Sequence, residues 1–267
     1  MSTTLAPARA AEQQLPSLEG GGLSFLTLMR VELRKQVDTR AGRGLLVAIG
    51  GLIALLAVGL VMWFTRDDGA QLGDLLLATV MPQGMLLPIL GIITACNEWS
   101  QRTALVTFTQ EPRRLRVVAA KLVSAVVLGT IAVVAAWMLA VLAHLVSMSI
   151  AGQPIDLQLD WKQLARIWLM QTITVLQGVA FGLAVLSVPL AIAAYFILPS
   201  LLATAAMFWS RLAEWGPWID LTSAAGPLQE SVDLTMRQWE HLGVACLLWV
   251  ALPLAVGLWR VMNREVK

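Results

Sequence analysis

The sequence predicts an all-α, polytopic membrane protein with six transmembrane helices, and three observations predict it. Only 13% of its 267 residues are charged, against about 25% in soluble domains. Mean hydropathy is +0.73, and apolar runs recur at the length of about 20 residues that a hydrocarbon core requires. The 42 residues from 167 to 208 carry no charge at all.

The elements follow in chain order. Residues 1–22 are polar, rich in Ala, Gly, Pro and Gln, and lack the apolar core of a signal peptide, so they are expected to form a disordered cytoplasmic tail. Residues 23–43 predict an amphipathic helix, with Leu26, Met29, Leu33 and Val37 on one side and Arg30, Arg34, Lys35 and Asp38 on the other. Too charged to span, it suits the headgroup layer, with its cations near anionic lipid.

Residues 44–267 then predict the six-helix domain. The first span is Gly44 to Phe64, with Trp63 at its far end as interfacial aromatics tend to lie. An acidic loop with Arg66, Asp67, Asp68 and Asp74 follows. The second span runs from about Leu75 or Thr79 to Cys96; Pro82 and Pro88 should kink it, which neighbouring helices can accommodate. Leu122 to Met148 is the third, closed by a loop carrying Asp156 and Asp160. One helix of 42 residues would overshoot the bilayer, so the uncharged stretch must hold the fourth and fifth spans. Ser187-Val188-Pro189 is the expected turn, because a residue before proline avoids the helical region. The connector from Trp209 to Glu240 is too polar to cross. Its four tryptophans (Trp209, Trp215, Trp218 and Trp239) predict helices dipping into the outer headgroup layer. Leu242 to Trp259 is the sixth span.

Charge orients the bundle. With both termini cytoplasmic, the inner segments hold 14 of the 19 Lys and Arg but 7 of the 17 acidic residues, a net +7 inside against −5 outside. The reverse orientation would break the positive-inside bias in all three inner segments.

The inner loop, residues 97–121, carries five basic residues (Arg102, Arg113, Arg114, Arg116 and Lys121) and two acidic ones, Glu98 and Glu111. Trp99, Thr103, Val106 and Gln110 fall on one helical face before Pro112 stops the helix. Glu98 is expected at the water–membrane boundary, where an exposed ion pair contributes about 0–1 kcal/mol. Pro112-Arg113-Arg114 could meet lipid or nucleic acid, but on so small a face protein contact is the better expectation, with no nucleic acid.

Several chemistries lack their residues. Neither GxxxxGK[ST], HExxH nor GxSxG occurs, so the chain is expected to be non-catalytic, without cofactor or metal of its own. No span carries a charge deep in its core, so the acidic relay of an ion-driven carrier is not expected. His144 and His241 fall near the outer ends of their spans and read as interfacial packing rather than haem ligands, and Cys96 and Cys246 as small apolar filler. In the fourth span Gln171, Thr174, Gln177 and Gly178 share a face, with Gly182 completing GxxxG. That pattern serves helix packing or the lining of a substrate path.

With these residues in place, the chain resembles the permease subunits of ABC transporters of the type-2 (exporter) class. In that family a Glu closes the second span, and a Gly-Thr pair, a short coupling helix, a Pro/Ser-Arg turn and a Lys near the third span follow. Here Glu98, Thr103, Pro112-Arg113-Arg114 and Lys121 match in order, while Arg102 stands where the family often has Gly. The resemblance spans residues 23–263. It implies a coupling element built from Glu98, Arg102, Thr103, Gln110, Arg113 and Arg114. It also implies a separate ABC ATPase subunit that binds the ATP, a second permease copy or homologue, and a place in the bacterial inner (plasma) membrane among its lipids. A secondary carrier or channel, and a non-transporting membrane scaffold, are the alternatives.

Overall fold

The computed structural model describes residues 24–64, 71–230 and 233–264; the expected tail at 1–22 lies outside them. Every element among the described residues is helical: α1 Phe25–Asp38, α2 Arg40–Phe64, α3 Leu72–Ser100, α4 Ala104–Gln110, α5 Arg114–Ala151, α6 Trp161–Val185, α7 Val188–Phe208, α8 Ser210–Ile219, α9 Leu221–Ala225, a 3₁₀ turn Gly226–Gln229, α10 Met236–Cys246, and α11 Leu252–Asn263, joined to α10 by a π turn over Leu247–Ala251. Six of these helical stretches are long and apolar enough to cross a membrane: α2, α3, α5, α6, α7 and the continuous rod from Met236 to Asn263.

The helix boundaries have local causes. The uncharged stretch breaks at Leu186, which adopts the left-handed conformation (φ 58°), and α7 restarts at Val188 with Pro189 in its first turn. α5 runs 38 residues, to Gly152, whose φ of 66° closes the helix as glycine can without strain. The Asp160 side chain accepts from the Lys162 backbone N–H to start α6, and Thr235 with Gln238 forms a capping box that starts α10. The π turn directly precedes Pro253, whose missing N–H would break a regular ladder there.

α3 and α6 form the centre. In each, 56% of the most apolar window is buried, against 17% in α2, 11% in α7 and 17% in the last rod. The two pack backbone to backbone. A Cβ on Gly178 would overlap the Pro88 carbonyl, and one on Gly182 would lie 2.6 Å from the Ala95 Cβ. The GxxxG of α6 therefore lets α3 approach closely, as small residues do in lipid. Leu87, Val118, Val133, Val175, Val179 and Leu183 close the core around this seam.

The connector after α7 reaches further into the bundle than surface helices would. Leu221, Ala224, Ala225 and Leu228 are buried against Ile173 of α6 and Leu242 and Ala245 of α10. The Trp249 indole donates to the Ile219 carbonyl at 2.6 Å and stacks on Phe181 of α6. The two histidines do not meet: His144 is bonded to the Asp156 carbonyl at 2.9 Å, and His241 stands edge-on to Trp218.

Candidate functional site

α1 lies against the ends of α3 and α5, and its inward face is not the expected one. Leu28, Glu32 and Gln36, spaced four apart, are buried, whereas Leu26 and Val37 of the apolar stripe are exposed. A helix can bury a polar face only if its partners answer each group, and here they do. The Lys121 ammonium lies 2.8 Å from a Glu32 carboxylate oxygen and 2.6 Å from one of Glu98, and it donates to the Thr94 carbonyl at 3.1 Å. Lys35, expected on the outer polar face, turns inward to Glu32 at 2.7 Å and Glu98 at 3.1 Å. Gln36 donates to the Ser124 hydroxyl at 2.7 Å, which donates to the Lys121 carbonyl.

Two carboxylates and two ammoniums thus form a neutral quartet that ties α1, α3 and α5 together. Glu98 is 2% exposed, so its ion pair is buried and not the exposed one the sequence suggested. Lys121 lies two turns inside α5, which begins at Arg114 rather than near Leu122, so charge does enter the helical spans at this end.

Above the quartet opens a groove of about 380 Å³ between α1 and α4. Glu32, Lys35 and Glu98 form its floor; Thr103, Val106 and Gln110 line the opposite wall. Trp99 and Gln110 do not share one helix. α3 ends at Ser100, the chain turns through Arg102 at φ 57°, and α4 starts afresh at Ala104. The left-handed residue stands where the resembled family often has glycine, and Arg102 holds it at a steric cost. Ala104 of α4 is buried, while Leu105 and Val106 are 53% and 56% exposed.

The basic turn divides. Arg113 is exposed and its backbone N–H donates to Glu111, whose carboxylate also pairs with Arg116 at 2.9 Å. Arg114 instead crosses over the Phe108 ring and donates to the carbonyls of Val261, Met262 and Arg264, closing the carboxyl end of α11. Beside it Arg264 covers the Trp99 ring at 5.0 Å, and Arg260 donates to the Ala184 carbonyl at the end of α6. Arg114 is therefore committed within the chain, and the six residues expected to form a coupling element converge only in part: Glu98, Thr103 and Gln110 share the groove, Arg102 shapes the turn, and Arg113 stands outside.

The α6 residues also divide. Gln171 donates to the Val80 carbonyl of α3 at 3.1 Å, a packing contact. Thr174 and Gln177 line a separate cavity between α3, α6, α7 and α9. Among the described residues no cluster of three or more His, Cys, Asp or Glu could hold a metal ion.

Sequence reading missed Glu32, Lys35, Gln36 and Ser124. The available signal was Glu32 itself, an acid one turn from Leu28 and Gln36 and so in line with a buried apolar residue, whereas Asp38 lies on the exposed side. No protein-family model matches the chain, and no curated protein matches it.

Proposed function

We propose that this chain is the transmembrane permease subunit of an ATP-driven exporter of the ABC type-2 class, and that the groove and outer face of α4 dock a separate ATPase subunit. The observation that carries this reading is the quartet of Glu32, Lys35, Glu98 and Lys121 beside a short helix with two exposed apolar residues. Exposed apolar side chains on a braced polar end favour a protein partner. The quartet supplies the bracing: it ties α1, α3 and α5 together, and the Glu98 carbonyl accepts from the Thr103 N–H at the start of α4 at 2.9 Å, so in this reading a push on α4 moves all three.

Mechanism follows from linkage. ATP binds a closed ATPase pair better than an open one, and only that differential affinity can shift the permease between conformations. The Arg114 clasp adds a route from α4 to the last rod, because Phe108 and the end of α11 share one guanidinium. In this reading both termini and α4 are cytoplasmic, the apolar stripe of α1 meets lipid, and α8 and α9 face outward. A second copy or homologue covers the sparsely buried α2 and α7.

The test is purification from the native membrane in mild detergent, followed by turnover assays in lipid nanodiscs. The expected result is an ATPase with a phosphate-binding loop in the complex, ATP hydrolysis by the complex, and none by the chain alone. Hydrolysis by the purified chain, or a complex holding no ATPase, overturns the proposal.

A further inference from the structure

The cavity between α3, α6, α7 and α9 has a volume of about 280 Å³, near the lower end of small-molecule sites. Its wall contains no charged residue. Ile173, Pro199 and Leu221 make it mainly apolar, and Gly84 leaves one side open, since a Cβ there meets nothing within 4 Å.

Two polar side chains in this wall are largely buried but keep their polar atoms open to the cavity. Gln177 is 4% exposed and Tyr195 is 8% exposed. Among the described residues neither side chain makes a hydrogen bond, and neither is sealed in the interior as the unpartnered Gln83 amide is, so the Gln177 amide and the Tyr195 hydroxyl open onto the cavity. Their neighbours differ: Thr174 donates to the Gln171 carbonyl at 2.8 Å and Ser200 to the Phe196 carbonyl at 2.7 Å. Polar groups facing an apolar cavity need a partner, and hydrocarbon chains cannot supply one. Each offers both a donor and an acceptor without charge.

We infer that this cavity is a binding site for an uncharged amphiphile, an apolar chain bearing a hydroxyl, amide or ester that bonds Gln177 and Tyr195. An ionised headgroup would be desolvated here with no counter-charge to answer it. The inference goes beyond the permease reading and does not rest on it, because the cavity lies within one chain and away from α4.

The experiment uses the full chain in phosphatidylcholine nanodiscs and a diazirine-bearing dodecanol as photoprobe, with cross-links mapped by mass spectrometry. Dodecyl probes ending in a carboxylate or a trimethylammonium are the comparators. The alcohol is expected to label the α6 and α7 peptides around Gln177 and Tyr195 saturably, with competition by unlabelled dodecanol. It is expected to exceed both charged probes by roughly tenfold, the scale of one hydrogen-bonding difference. Labelling is expected to fall by a similar factor in the Gln177→Leu/Tyr195→Phe double variant. Gly84→Leu fills the open side without removing either polar group and carries the same expectation should the double variant not fold. Unsaturable labelling spread equally over α2, as bulk lipid contact gives, overturns the inference. So do equal labelling by the carboxylate probe and undiminished labelling of folded Gly84→Leu.

Discussion

Lys121 holds its ammonium between Glu32 and Glu98, two turns inside α5. Removing it would leave two carboxylates facing each other with only the half-buried Lys35 between them. Breaking a buried pair by deleting one partner costs about 3–5 kcal/mol, so Lys121→Met is expected to lower thermal stability in detergent by that order. Glu98→Gln keeps an acceptor and loses the charge; the expected loss is smaller, about 1–3 kcal/mol, yet above the value for an exposed pair. A melting curve of Lys121→Met that overlays wild type contradicts the quartet. Arg102 gives an independent test of the turn. Its side chain is exposed and its φ is 57°, so a β-branched residue there is strained while glycine is not. Arg102→Val is expected to destabilise by about 1–2 kcal/mol and Arg102→Gly to leave stability unchanged or slightly raised. Equal melting temperatures for the two variants would refute the strain.

At the scale of elements, what was legible in the sequence follows from which forces act locally. The six long helices were legible because hydropathy over 20 residues is a local quantity; the α6–α7 break was legible in place only, since Val188 before Pro189 is helical and the chain turns at Leu186 and Ser187 instead. The inward face of α1 was not. Glu32 and Lys121 are 89 positions apart, and the pairing that makes burial of Glu32 affordable exists only once α1 meets α5. The same holds for Arg114, whose carbonyl partners lie at the far end of the chain.

The loop before α10 yields a prediction at this scale. Asp233 accepts from Lys162 at 2.9 Å and from Arg166 at 3.3 Å. The hydrogen bond from Lys162, then its charge, hold the Asp233 carboxyl below its ordinary range. A depressed carboxylate contributes its tether above the unfolded pKa, about 3.9, and loses it as pH falls through the folded value. Asp233→Asn is therefore expected to speed hydrogen exchange in residues 233–239 at pH 7. The difference from wild type is expected to persist at pH 5 and vanish only in stronger acid. No difference at pH 7 would show that the tether does not hold the loop.

Across the whole molecule a central α3–α6 seam leads to the braced end at α1, α3 and α5, and the proposed function has that end present α4 to an ATPase. The most direct measurement places a photocrosslinker at Gln110, on the groove wall opposite Glu98, in cells carrying the native complex. An impermeant thiol reagent is applied in parallel to a Gln110→Cys variant. Cross-linking to an ATPase chain and no thiol labelling from outside are the expected results. Loss of the cross-link is expected in Leu105→Asp/Val106→Asp, with insertion and melting temperature retained. Labelling of Gln110→Cys from outside intact cells, or a cross-link that survives the double aspartate variant unchanged, would contradict α4 as the docking face.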